Sequence, residues 1–433
     1  MDRRDTALFV SLLFVAVVTL YGVLAICFPI AYLWATYEDM VGEWAQFWFF
    51  ATALLFSFRL ACVRSPYRWY FALLAASLFY VTGEEISWGQ RIFSFATPAL
   101  LQAHNLQHEA NLHNLVTGPV ATPLKRAIEY GMALGMVVYG VVYPWVVRWR
   151  WSPALWFNRR GVASPPCFLW PFFFTGAVLE LDPLHFNEAE LAEVLISSAL
   201  AFMAIAYWHD HRSRLRQGEV TEGRSHRGLT AWIGTATAAV VLLAVASTSA
   251  SYATPAARAR VDNRIYNGFE KFAGRYERYG RWQTAATLYA RVHDREPKRC
   301  SILRKLATCQ SRLGDEQTAQ RYLVEAITLD LTRIAKKREQ GQESVSTNLS
   351  LARSYRQLGN NASAEIHLRR ARAVAEQRVA RQPESGSATY WLGQCHELAG
   401  DRVAALHSYR HAMELSPSVV EYQKAYYRLA ADS

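Results

Sequence analysis

Hydrophobic and polar positions follow two regimes along this chain, and they meet near residue 250. In the first regime apolar residues run in blocks. Between Asp5 and Glu38 lie 32 consecutive residues without Asp, Glu, Lys or Arg, against the ~20 apolar residues that cross a bilayer's hydrocarbon core. A cleaved leader would carry a much shorter apolar stretch ending in a small-residue cleavage site, so this block reads as a retained first span. Six more apolar blocks follow at about 45–63, 69–90, 128–148, 164–181, 189–208 and 229–249. The pattern predicts seven transmembrane helices. Pro165, Pro166 and Pro171 interrupt the 164–181 block and predict a shorter or broken helix there.

Tryptophan and charge refine this picture. Twelve of the 14 tryptophans precede residue 250, and Trp34, Trp44, Trp69, Trp149, Trp151 and Trp208 lie near block ends, where amphipathic rings suit the membrane–water boundary. Arginines fall in alternate connections: Arg3 and Arg4, then Arg59, Arg64 and Arg68, then Arg148, Arg150, Arg159 and Arg160, then Arg212, Arg214, Arg216, Arg224 and Arg227. The other connections carry acids, among them Glu38, Asp39, Glu43, Glu109, Glu180, Asp182 and Glu188. Positive charge in short loops marks the cytoplasmic side. The N-terminus is therefore expected in the cytoplasm and, after seven spans, the C-terminal third outside it, as in a protein of a bacterial inner membrane.

That C-terminal third is polar, helical and periodic. Gly280, Gly314, Gly359 and Gly400 each stand seven residues after a small residue (Ala273, Ala307, Ala352, Gly393) and five before an alanine (Ala285, Ala319, Ala364, Ala405). Tyr289 and Tyr409 recur nine residues after their glycines, and Pro297 and Pro417 seventeen after. Small residues at these places let two antiparallel helices approach closely while larger ones fill the groove between neighbours. The pattern resembles the tetratricopeptide repeat (TPR) family over residues 266–417 as four repeats, with YQKAYYRLA as a capping helix in 418–433. The second repeat departs from it in lacking the terminal proline. The 45-residue spacing from Gly314 to Gly359 implies an insertion near IAKKREQGQES. The expected fold is thus all-α: a seven-span bundle over 1–250, a linker over 251–265, and a TPR α-solenoid. The resemblance implies a protein partner held in a concave groove, with no chemistry of its own. Arg275, Arg304, Lys305, Arg353 and Arg356 lie on the first helices of their repeats, which line that groove in the family, and are candidate contacts for an acidic partner; a solvated convex face is the alternative.

Ionisable residues in the membrane half form a second constellation. On a helix, GEEISWGQR would place Glu84, Trp88 and Arg91 on one face, with Glu85 beside them. HNLQHEANLHN adds His104, His108, Glu109 and His113, and the following acidic connection adds Glu180 to Glu193. All would face one compartment. Glutamate with histidine suits general acid–base transfer, with Glu84, Glu85, Arg91, His108, Glu109 and His113 as catalytic candidates. It also suits a divalent metal, with His104, His108, His113 and Glu109 as candidate ligands. The spacing is not the HExxH of zinc hydrolases. Interhelical ion pairs and a polar interfacial loop are the competing structural reading. GEEISWGQR and NLQHEANLHN also resemble signatures of a bacterial multispan membrane family of uncharacterised activity, over about residues 35–210.

Of 47 Lys+Arg and 36 Asp+Glu, residues 1–250 hold 17 and 17, so the whole net charge of +11 belongs to the C-terminal part. That surplus favours acidic protein, anionic lipid headgroups or anionic glycan. No nucleic-acid partner is expected. The six cysteines form no CxxC and predict neither a disulfide framework nor a zinc site. Two function classes follow: an envelope protein presenting its repeats for protein–protein interaction, or a membrane-embedded hydrolase or transferase acting on a lipid or lipid-linked substrate.

Overall fold

Pro29 decides how the first apolar block folds. Proline lacks an N–H and disfavours helical backbone in the residue before it. Helix α1 (Arg3–Cys27) stops short of it, and α2 (Pro29–Thr36) begins on it. The block expected as one span is therefore two helices. The structure, a computed structural model, describes residues 3–37, 40–90, 95–97, 123–217, 227–253, 255–340, 342–417 and 419–431, and every regular element among them is helical. Its contacts divide into two units, Met1–Gly268 and Phe269–Ser433.

In the first unit α3 (Val41–Cys62) is central, packed by α4 (Arg68–Glu85), α9 (Ala189–Gln217) and α10 (Arg227–Ala250). Between α4 and α9 come α5 (Pro123–Val137), a π turn over Val138–Val142, α6 (Tyr143–Arg148), α7 (Ser152–Arg159) and α8 (Trp170–Glu180). The core is aromatic: Phe49 and Phe172 both meet Phe202 edge-on, at 5.9 and 6.0 Å, with Phe71 buried nearby. The outer faces are apolar as well, including Leu8, Leu12 and Val15 of α1 and Val241, Leu242 and Val245 of α10. Five helical stretches are long and apolar enough to cross a membrane: Arg4–Cys27, Pro29–Cys62, Ala127–Arg148, Ala189–Leu215 and Gly228–Ala250. These stretches, with apolar side chains turned outward, suggest membrane association. Helix α4 carries Arg68, Glu84 and Glu85 within 18 residues and is not one of the five. Helix α8, at 11 residues, rises only about 17 Å.

The segment before α8 is irregular, and tyrosines supply its missing hydrogen bonds. Tyr143 donates to the Val162 carbonyl at 2.9 Å, Tyr139 to Ala163 at 3.0 Å and Tyr207 to Ser164 at 2.9 Å. Tyr139 is also bonded to Tyr70. Non-helical backbone in an apolar bundle is tolerated only when its polar groups are satisfied this way. The π turn sits opposite, where a Cβ on Gly140 would lie 2.0 Å from the Phe173 ring, so only glycine permits this contact of the π turn with α8.

The second unit stacks antiparallel pairs. The pairs are the C-terminal part of α11 (Pro255–Arg278) with α12 (Trp282–Arg295), α13 (Cys300–Arg312) with α14 (Glu316–Glu339), α15 (Val345–Gln357) with α16 (Asn361–Arg381), and α17 (Gly386–Ala399) with α18 (Arg402–Leu415). Helix α19 (Val420–Ala431) packs on α18. Residues 255–265, within the expected linker, are helical. The four repeat glycines each take positive φ, between 69° and 86°, where an L side chain is strained. Asp315, Asn360 and Asp401, each next after its glycine, cap the following helix by accepting from the N–H three residues on. The implied insertion appears as extra helix: α14 has 24 residues where α12 has 14.

Replacing Tyr207 by Phe removes the donor to the Ser164 carbonyl and should cost about 1–3 kcal/mol, the penalty of an unsatisfied buried carbonyl. Tyr143→Phe should cost less, because the Asn158 amide also reaches the Val162 carbonyl, at 3.2 Å. Thermal unfolding of both variants in the same detergent measures the difference, and equal losses would show that these hydroxyls do not hold the segment.

Candidate functional site

The polar centre of the first unit is built on Gln46, one turn into α3 and buried. Its Nε2 donates to Glu85 Oε1 at 3.0 Å and to Glu193 Oε2 at 2.5 Å, drawing carboxylates from α4 and α9 to one amide. Its Oε1 is buried with no hydrogen-bond partner among the described residues. Helix α4 ends at Glu85, and Ser87 and Trp88 then take positive φ of 47° and 53°. This reversal brings Trp88 Nε1 to Glu84 Oε1 at 2.5 Å. It needs Gly83, since a Cβ there would stand 2.9 to 3.1 Å from three ring carbons of Trp88. Non-glycine residues in this region of backbone cost energy and tend to cluster at functional sites.

The expected helical face of Glu84, Trp88 and Arg91 is therefore corrected: Trp88 meets Glu84 by reversal of the chain, because the helix has already ended. Arg91, His104, His108, Glu109 and His113 lie outside the described residues, and with them the expected metal ligands. Among the described residues no three of His, Cys, Asp and Glu converge as metal ligands would. Glu188, expected with the acidic cluster, accepts the Phe186 N–H at 2.7 Å and the Leu184 N–H, and so organises the entry to α9. Sequence reasoning missed Gln46, and it placed Glu193 in the acidic constellation without naming it a catalytic or metal candidate. A signal existed, since both are polar groups one turn inside an apolar block. Two carboxylates sharing one amide in an aromatic bundle can hold or pass a proton.

In the repeat unit a groove of about 500 Å³ is lined by Arg304 and Lys305 of α13, Arg353 and Arg356 of α15, and Leu398 of α17. Four of the five expected cations share it. Arg275 is not among its lining residues and lies over the Phe272 ring at 4.7 Å. Their partners differ. Lys305 Nζ donates to both oxygens of Glu277, at 3.0 and 2.8 Å, and Arg304 lies 3.7 Å from buried Asp330. Arg353 donates to Gln394 Oε1 at 2.5 Å and Arg356 to the Leu398 carbonyl at 2.6 Å. The three buried cysteines of this unit are poor nucleophiles, since burial pushes the thiols of Cys300 and Cys309 up to about 11 and that of Cys395 to about 12.

Comparison with known proteins agrees with the repeat geometry. Residues 343–418, within the second unit, match the tetratricopeptide repeat family. A crystal structure of MamA protein is similar at 17% identity, covering 38% of this chain and 81% of that one, with a TM-score of 0.18. The TPR domain of P58(IPK) is similar at 12% identity, covering 69% of this chain and 98% of that one, with a TM-score of 0.16. No curated protein matches the chain.

The end of the solenoid carries a pH-sensitive clasp. Burial would raise the Glu397 carboxyl, but hydrogen bonds from Arg428, at 2.7 to 2.8 Å, and from Tyr409, at 2.5 Å, outweigh it and hold the group below the ordinary 4.5. A carboxyl depressed in the folded state contributes stability that is present above its unfolded value and lost as pH falls through the folded one. Stability should therefore fall as pH drops below about 4.5, and Glu397→Gln should flatten that part of the profile. Thermal unfolding between pH 3 and 7 tests this; an unchanged slope in the variant would refute it.

Proposed function

We propose that the chain is a seven-span integral membrane protein of a bacterial inner membrane, with its N-terminus in the cytoplasm, that presents its TPR domain outside the cytoplasm to hold an acidic protein partner. TPR domains generally bind protein in a concave groove, and the observation that carries the reading is the gathering of four cations in one such groove. Five long apolar helices support the membrane half. Completing seven needs α4, whose charges lie at its two ends, and α8, lengthened by the tyrosine-satisfied segment before it. The orientation rests on four arginine-bearing connections alternating with acidic ones. A reporter active only in the cytoplasm, fused after Ser433, should be silent, and strong activity would invert the proposed topology.

A second reading is favoured by the Gln46–Glu85–Glu193 meeting point: a hydrolase or transferase acting on lipid or lipid-linked substrate at the outer membrane face, with Glu84, Glu85, His108, Glu109 and His113 as its groups and a divalent cation as a candidate cofactor. If Glu85 and His113 belong to one site, Glu85→Gln and His113→Ala should be non-additive, the double variant losing little beyond either single one. Metal content, co-purifying lipid and stability of the detergent-purified variants provide the readouts, and independent additive losses would separate the two segments.

A further inference from the structure

The position three residues before each repeat glycine is occupied in turn by Glu277, Ser311, Arg356 and Glu397, and the position nine after by Tyr289, Leu323, Leu368 and Tyr409. In the first and last repeats these residues form the same lock. Tyr289 donates to Glu277 at 2.8 Å and Tyr409 to Glu397 at 2.5 Å. Each carboxylate then takes a cation from the next repeat or cap: Lys305 at 2.8 Å and Arg428 at 2.7 Å. The two middle repeats have neither the carboxylate nor the tyrosine, and the third has an arginine in the carboxylate's place.

The groove's charge is consequently uneven. Lys305 and Arg304 are matched by Glu277 and Asp330. Among the described residues no carboxylate lies within ion-pair distance of Arg353 or Arg356, which bond only to a neutral amide and a carbonyl. They are three apart on α15 and share its groove face. Arg353 is half-buried. The charge of Glu397 reaches Arg353, but its oxygens are taken by Arg428 and Tyr409. A partly buried guanidinium with no ion pair of its own is costly, and its five donors in a planar fork match a carboxylate.

We propose that Arg353 and Arg356 form the anion-recognising subsite of the groove, and that its occupant is an extended peptide segment presenting an Asp or Glu side chain to them, with an apolar neighbour against Leu398. This rests on the reading that the groove holds a protein partner, and it specifies which cations recognise that partner. A groove of about 500 Å³ admits a short stretch of chain rather than a folded surface. Its recessed arginine also suits a peptide side chain better than a flat membrane.

The test is display selection of random heptapeptides on the full chain in nanodiscs, followed by fluorescence anisotropy of an enriched peptide and its Glu→Gln counterpart. Acidic peptides should be enriched, and Arg353→Gln/Arg356→Gln should weaken them at least about tenfold, as loss of one charged hydrogen bond would. Arg369→Gln/Arg372→Gln removes the same charge from exposed positions of α16 and should leave binding unchanged. Single Arg356→Gln, at an exposed residue, keeps the test valid if the double variant unfolds. Enrichment without acidic bias, or equal binding to the double variant, would overturn the subsite while leaving the groove as a protein site. Arginine-dependent binding of phosphatidylglycerol vesicles with no peptide bound would overturn the peptide occupant. Binding of neither would remove the groove reading as well.

Discussion

A backbone carbonyl or N–H taken away from water must find a partner inside the protein, and the whole fold answers that demand. Helix satisfies it segment by segment, so every regular element among the described residues is helical. Where prolines forbid helix, before α8, the demand passes to side chains, and tyrosines of the π turn, α6 and α9 meet three successive carbonyls. That substitution lets a short helix sit inside an apolar bundle. In the repeat unit the same need appears at helix starts, where Asp315, Asn360 and Asp401 accept the first free N–H groups immediately after a left-handed glycine.

Charges obey a stricter form of the rule, because an unpaired buried ion costs several kcal/mol. Glu85 and Glu193 meet on the Gln46 amide, and Asp330 sits with Arg304 and Arg333. Once such matches are drawn, the groups left without counter-charge become informative. Among the cations of the groove, Arg353 and Arg356 are the two that form no ion pair with a described residue, so structural pairing and the functional reading meet on one helix.

The repeat architecture was legible in the sequence because its constraints are local and periodic. A glycine needing positive φ, a small residue where helices touch and a polar cap each leave a mark at fixed spacing, and Gly280, Gly314, Gly359 and Gly400 all occupy the conformation their register implies. The apolar first unit was legible as blocks but not in its breaks. Hydropathy cannot see that Pro29 divides the first block, or that α4 ends at Glu85 with Trp88 turned back over Gly83. The meeting of Gln46, Glu85 and Glu193 joins residues 39 and 147 positions apart, and no local pattern announces such a contact. Four of five groove cations were readable because they share first helices; their pairing was not.

The insertion in the second repeat shows how a change of length becomes a change of charge. Asp330 stands sixteen residues after Gly314, and the residue at that offset from Gly280 is Glu296, the C-cap just past the end of α12. In a repeat of ordinary length Asp330 would belong to the connection between repeats. Because α14 continues to Glu339, Asp330 is instead a buried helical residue, bonded to Ser350 and within 3.7 Å of Arg304 and 3.1 Å of Arg333. The extension thus supplies the carboxylate that neutralises Arg304 and shifts the unmatched positive charge of the groove one repeat onward, to α15.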